Sequence, residues 1–260
     1  MVIVITGGSS GIGLETAKLY AQDTSNKVYV LNRRQVDTNN FTSISCDITK
    51  EEQIKKAIET IAKNEGKIDL LINNAGMGIS GAIEYHSDEE IKKIIDVNIV
   101  GLISVTRHCI PYLKESKGKI INISSVAGPI SIPFQTMYSV TKSAVLTFSN
   151  GLRNELRPFG VRVTSILPGD TKTGFTNARE KSKDNGEYGD RITRSVKRME
   201  KDEQNGVSPI KVAKKILKVG KKKNPNTYYV VGSSYKLLVF LSRVLPKRLV
   251  NHIIYQIYGK

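Results

Sequence analysis

The chain has 260 residues, 39% hydrophobic and 25% charged, with 21 Gly and 8 Pro. That composition excludes collagen, coiled coil and a wholly disordered chain, and the length suits one α/β domain. The net charge of +16 is unevenly placed: residues 1–170 carry 19 Lys and Arg against 17 Asp and Glu, or +2, and the remainder carries 21 against 7, or +14.

The opening run Met1–Ile5 is too short for the apolar stretch of a signal peptide and leads straight into glycines. No run reaches the ~20 apolar residues of a membrane span; the stretch from Leu237 is broken by Ser242 and Arg243. Cys46 and Cys109 form no CxxC pair, and His86, His108 and His252 are scattered. A cytoplasmic setting, unreactive cysteines and no metal are the expectation.

Short Val- and Ile-rich runs at Val2–Thr6, Val28–Leu31, Thr42–Ser45, Ile68–Ile72, Lys119–Ile123, Val161–Leu167 and Thr227–Val231 predict strands. Several are apolar at nearly every position, as strands buried on both faces are. Between them Ile12–Gln22, Glu51–Lys63, Asp88–Lys114, Ser139–Arg157 and Pro209–Val219 have helical spacing. This alternation predicts a single Rossmann-like domain over residues 1–260, a doubly wound parallel sheet with helices on both faces.

The first strand ends in Thr6, Gly7, Gly8, Ser9, Ser10, Gly11, Ile12 and Gly13, and a helix follows. Glycines let such a turn take positive φ and let a phosphate approach the backbone. The helix N-terminus then offers free N–H groups and partial positive charge, and Ser9 and Ser10 add hydroxyl donors. The second strand leads to Arg33 and Arg34, with no carboxylate between Asn32 and Val36. A carboxylate there would hold a ribose diol. An Arg suits a 2′-phosphate, so NADP(H) is expected over NAD(H).

Tyr138 and Lys142 stand four residues apart at the start of a helical stretch, on one face. A phenol with pKa near 10 is a poor base at neutral pH, and a neighbouring ammonium lowers that value. Such a pair can move a proton on and off an alcohol oxygen.

With these residues in place the chain resembles the short-chain dehydrogenase/reductase family, in its compact NAD(P)-dependent branch. The resemblance spans most of Met1–Thr176 and rests on motifs in the family's order. They are the glycine turn, Cys46 to Ile48, Asn73 to Gly76, Asn98, Asn122 to Ser125, Tyr138 with Lys142, and Pro168 with Gly169. It implies reversible hydride transfer between a carbonyl and a secondary alcohol. Tyr138 would be the acid/base and Lys142 would tune it and hold the nicotinamide ribose. Ser125, rather than Ser124, would bond the substrate oxygen, and Asn98 would help hold a proton-relaying water. Asp47 and Ile48 would meet the adenine, unless Asp47 merely caps the helix near Lys50. Asn73, Asn74, Ala75 and Gly76 would wall the adenine side, unless Asn73 is only a turn residue. Pro168, Gly169, Thr171 and Thr173 would contact the nicotinamide end.

Residues 177–206 correspond to the family's variable substrate loop; their charge, with Asn185 and Gly186, reads as a mobile lid or a solvated helix pair. Met77, Ile79, Phe134, Met137 and Phe175 line an apolar pocket or belong to the core. Residues 235–260 form a basic, apolar helical extension. It closes the cleft and packs on a second subunit of a homodimer or homotetramer, or lies on an anionic membrane surface. Nucleic acid is the weakest reading, with no recognition module visible. The expected substrate is a small or lipophilic carbonyl or alcohol. The rival readings are a non-catalytic nucleotide-binding regulator and a peripheral membrane reductase of lipid-like substrates.

Overall fold

Val2–Thr6 (β1) has no polar face, and it lies buried at every position. It heads a chain of alternating elements in a computed structural model that describes residues 1–36, 38–182 and 186–260. Asn185 lies outside the described residues. After β1 come α1 (Gly11–Ala21), β2 (Lys27–Asn32), β3 (Thr42–Ser45), α2 (Glu51–Glu65) and β4 (Leu70–Asn73). The short β5 (Ile79–Ser80) precedes α3 (Asp88–Ile95), α4 (Leu102–Ser116), β6 (Lys119–Ile123), α5 (Thr136–Glu155) and β7 (Arg162–Pro168). The last part comprises α6 (Phe175–Ala178), β8 (Glu180–Lys181), α7 (Arg191–Gln204), α8 (Pro209–Gly220), β9 (Tyr228–Val231), α9 (Ser233–Val244) and α10 (Lys247–Ile254).

Seven strands form one parallel sheet in the order β3-β2-β1-β4-β6-β7-β9. One face is covered by α1 and α8, where Ala17 and Tyr20 meet Val212, Ile216 and Val219. The other is covered by α2, α4 and α5 through residues such as Ile58, Cys109 and Leu152. The chain winds one way from β1 to β3 and the other way from β4 to β9, so the order reverses between β1 and β4. A crevice opens there at the carboxyl ends of the strands, where such sheets take ligands.

The expected helix from Asp88 to Lys114 is wound differently. Ser87 and Glu90 cap α3 reciprocally. Residues Asp96–Gly101 then form a π turn before α4, a local widening common at functional sites. The run Asp88–Ser116 is also long and apolar enough to cross a membrane, against the expectation that none would be. Here it packs Val105, Cys109 and Leu113 into the core.

The described part of the variable segment packs one face of α7 on the body. On α7, Ile192, Val196 and Met199 are buried with Phe134, against Tyr188 and Tyr258. A parallel pairing of β5 with β8 holds the segment to the body. In the C-terminal part, α9 and α10 pack Val239, Val250 and Ile254 on Val126, Ile130 and Leu167.

Candidate active site

Gly7 takes φ of +68°, which ends β1 in a turn that a side chain would strain. Its N–H donates to Leu31 O at 2.8 Å. A Cβ on Gly13 would lie 2.3 Å from Gly7 O, so only glycine lets α1 start this close to the turn. Ser10 makes no side-chain cap, and the first turn of α1 carries no acid. Ser9 and Ser10 are exposed, and Gly11 and Ile12 are half-buried beside them. The cradle and the open N–H groups fit a dinucleotide's pyrophosphate. Thr173 roofs this turn: a Cβ on Gly11 would lie 3.4 Å from Thr173 Cβ.

Asn74 stitches the turn from the other side of the crevice. Its Nδ2 donates to Gly7 O at 2.9 Å and Thr6 O at 3.1 Å, while Thr6 Oγ1 accepts from the N–H groups of Asn74 and Ala75. Asn73 does not join it, contrary to the expectation for the adenine wall. Its amide donates to Thr106 Oγ1 and Asn122 Oδ1, both at 2.8 Å, inside the core. Successive residues at a strand end point to opposite sides, which separates the two asparagines.

Arg33 and Arg34 are exposed at the end of β2, with no ion pair among the described residues. Asp47 Oδ1 accepts from Thr49 N at 2.9 Å and Thr49 Oγ1 at 2.8 Å, which organises the turn into α2. Ile48 packs in the core.

Strand β6 delivers two serines with different tasks. Ser124 is buried and donates to Lys142 O at 2.7 Å. Ser125 is half-buried, accepts from Ala127 N at 3.1 Å and stands near enough to the Tyr138 phenol to favour its ionised form. Lys142, buried one turn along α5, donates from Nζ to Ile123 O at 3.0 Å and stands 5.7 Å from the centre of the Tyr138 ring. Asn98 sits in the π turn with its amide fully engaged. Oδ1 accepts from Met77 N at 2.8 Å, and Nδ2 donates to Met77 O at 2.9 Å and Thr141 Oγ1 at 3.0 Å. A Cβ on Gly76 would fall 3.2 Å from Asn98 Oδ1 and 3.5 Å from Lys142 Nζ, so these three residues converge.

Burial pushes the Tyr138 phenol up to about 12, opposed by its hydrogen bond with Ser125. Burial pushes the Lys142 ammonium down to about 8. The expected lowering of the phenol by Lys142 is not seen in this arrangement, because desolvation outweighs the charges around it and Lys142 is directed at Ile123 O.

A cluster that spacing did not reveal stands close enough to Tyr138 to act on it. Arg179, only 5% exposed, pairs with Glu203, whose other oxygen accepts from Thr176 Oγ1 at 2.6 Å. Gln135, with its amide suitably oriented, accepts from Arg179 Nε and Nη2 at 3.2 Å. Asp170 follows Pro168 and Gly169 and accepts from the Tyr235 hydroxyl. Thr171 Oγ1 donates to Gly169 O at 2.9 Å. Of the five apolar candidates, Ile79 and Phe134 are buried, and Met77 and Met137 are half-buried. The Phe175 ring lies 5.7 Å from that of Tyr138.

Residues 1–184 match the family model for short chain dehydrogenase. The chain is 37% identical to a 3-ketodihydrosphingosine reductase of Bacteroides thetaiotaomicron, over 96% of this chain and 95% of the relative. Among solved structures it resembles the closed form of a serine dehydrogenase complexed with NADP+, with a TM-score of 0.76, 27% identity, and 89% and 94% of the two chains covered. It also resembles a 3-ketoacyl-(acyl-carrier-protein) reductase from Brucella melitensis complexed with NADH, with a TM-score of 0.74, 26% identity, and 88% and 96% covered. The open phosphate cradle, the Ser125–Tyr138–Lys142 group and these matches over most of the chain make the protein an oxidoreductase of the short-chain dehydrogenase/reductase family, built on its NAD(P)-binding Rossmann fold.

Proposed function

We propose that the protein reduces the ketone of a long-chain lipid, 3-ketodihydrosphingosine or a close analogue, with NADPH. The placement of Ser125 beside Tyr138, with Lys142 one turn behind and 5.7 Å from the phenol ring, supports the reaction. The match to the Bacteroides reductase, which covers 96% of the chain, supports the substrate.

The residues divide the work. Gly7, Ser9, Ser10, Gly11, Ile12 and Gly13 hold the pyrophosphate, with Arg33 and Arg34 on a 2′-phosphate. Asp47, Ile48, Asn74, Ala75 and Gly76 line the adenosine side, and Pro168, Gly169, Thr171 and Thr173 the nicotinamide end. When bound, the dinucleotide supplies the hydride. Ser125 Oγ and the Tyr138 hydroxyl both donate to the substrate carbonyl oxygen, and Tyr138 gives it a proton. The Lys142 ammonium stabilises the phenolate left behind. Its buried setting directs its proton exchange to a relay, for which Asn98 offers its backbone carbonyl, since its amide is already engaged. Phe175 and Phe134 give the acyl chain an apolar wall. Exposed Val100, Ile103 and Val140 support self-association as a homodimer or homotetramer.

The test follows NADPH consumption with 3-ketodihydrosphingosine, a 3-ketoacyl thioester and the aldehyde formed by oxidising the hydroxymethyl group of serine. The keto lipid should be preferred by about tenfold or more in kcat/KM. Faster turnover of either rival would overturn the substrate, and no turnover of any carbonyl would overturn the enzyme.

A further inference from the structure

Helices α9 and α10 are apolar on two faces. The inner faces pack on the core. On the outside of α9, Leu237, Phe240, Leu241 and Val244 recur at i, i+3, i+4 and i+7, with Phe240 60% and Val244 63% exposed. On α10 and the turn after it, Leu249, Ile253 and Ile257 recur at i, i+4 and i+8, also exposed. A helix at an aqueous surface ordinarily puts polar residues there. Instead, eight of the fourteen large hydrophobics exposed among the described residues fall in the last 24 residues.

The charge beside these stripes has one sign. Residues 204–260 contain twelve Lys and Arg and no Asp or Glu. Lys236, Lys247 and Arg248 are exposed next to the stripes. We propose that this face docks the protein on an anionic lipid membrane, with Leu237, Phe240 and Val244 in the acyl boundary and the flanking cations among the headgroups. A second copy of the chain would bring the same cations face to face with no carboxylate to meet them. Nucleic acid would satisfy the charge but leave the outward Phe and Leu without a partner. Tyr235 anchors the first turn of α9 to Asp170 in the cleft loop, so a docked α9 holds the crevice beside the lipid.

Flotation with phosphatidylcholine vesicles, with and without phosphatidylglycerol, tests it at low and high salt. The wild type should float with the anionic vesicles. Neutral vesicles or high salt should lower the bound fraction about tenfold. Leu237→Glu with Phe240→Glu should abolish flotation without altering the thermal melt, because both positions face solvent. Lys247→Gln with Arg248→Gln should weaken partitioning about thirtyfold, roughly fivefold per cation. Failure of the wild type to float, or equal flotation of the Glu variant, would overturn the proposal. So would a fall in oligomer size in the Glu variant of a protein that does not float, since the face would then join two copies. Retention on duplex DNA that the Glu pair leaves unchanged, without flotation, would equally overturn it.

Discussion

Tyr235 donates its hydroxyl hydrogen bond to Asp170 Oδ2, joining the first turn of α9 to the loop that leaves β7. The same ring lies so close to Gly169 that a Cβ there would be 2.0 Å from Tyr235 Cδ2. The C-terminal extension is therefore the outer wall of the loop from Pro168 to Thr173. A second tyrosine works alike: Tyr258 donates to Asp202 on α7 at 3.1 Å.

Asp170 makes that wall sensitive to pH. Burial pushes its carboxyl up to about 6, opposed by the Tyr235 hydrogen bond. A raised carboxyl in the folded state favours the protonated form, so its stabilising contribution is full at low pH and is lost as pH rises through about 6. The shift of about two units sets an upper bound near 2.7 kcal/mol, and partial exposure reduces it to about 1–2 kcal/mol. Asp170→Asn keeps an acceptor for Tyr235 and removes the charge. Urea unfolding should find the variant more stable by that amount at about pH 7.5 and level with the wild type near pH 4. An equal difference at both would show that the charge plays no part.

The glycine turn yields a prediction about binding rather than folding. A methyl at Gly13 would meet Gly7 O at 2.3 Å and Asn74 Nδ2 at 2.5 Å. The turn must shift, because the nearer atom is backbone. Gly13→Ala should weaken dinucleotide affinity about tenfold or more while leaving the sheet intact. Quenching or enhancement of NADPH fluorescence on titration measures the affinity, and circular dichroism checks the fold. Unchanged affinity would mean that the turn does not carry the pyrophosphate.

Local rules made much of this legible and non-local ones did not. Strands β1 and β6 have the bounds read from their Val and Ile runs, because a strand buried on both faces shows itself residue by residue. Gly7 and Gly13 are legible because a positive φ and a close backbone approach each exclude a side chain. The π turn around Asn98 follows from hydrogen bonding five residues apart, which leaves no compositional mark. Asn73 turns into the core, away from Asn74, because one step along the strand reverses the side chain. Arg179 and Glu203 are 24 residues apart, and Asp170 and Tyr235 are 65 apart. Only the packing of α7 and α9 over the crevice brings each pair together, and no periodicity announces it.

In the proposed reaction, Lys142 and Tyr138 set the pH profile of ketone reduction. Reduction needs the protonated phenol, which is retained up to about 12 in the free protein, and the charged ammonium, which is lost above about 8. Because kcat/KM reports the free enzyme, it should stay level through neutrality and fall with one proton above about pH 8. Lys142→Arg keeps the charge and should remove that fall, at a lower rate. Tyr138→Phe should cost about 10²-fold or more at every pH, with dinucleotide affinity kept. A falling limb that persists in Lys142→Arg would assign it to another group.

The proposed preference for NADPH rests on Arg33 and Arg34. Both are exposed at the end of β2, where the sheet delivers an adenosine ribose, and neither is tied up by an ion pair among the described residues. A 2′-phosphate carries nearly two negative charges, and a positioned guanidinium contributes about 1.5–3 kcal/mol as a charge-assisted hydrogen bond. That corresponds to roughly a ten- to hundredfold preference for NADPH over NADH per productive Arg. Arg33 stands nearer the strand end and takes the main contact. Arg33→Ala should weaken NADPH binding by that factor and leave NADH within about twofold. Because the contact faces solvent, the preference should shrink as salt rises from about 0.05 to 0.5 M, where screening shortens to a few ångströms. Titration of both dinucleotides against the wild type and Arg33→Ala decides it. Equal affinities in the wild type, or a preference for NADH, would leave the two arginines with no role in cofactor choice.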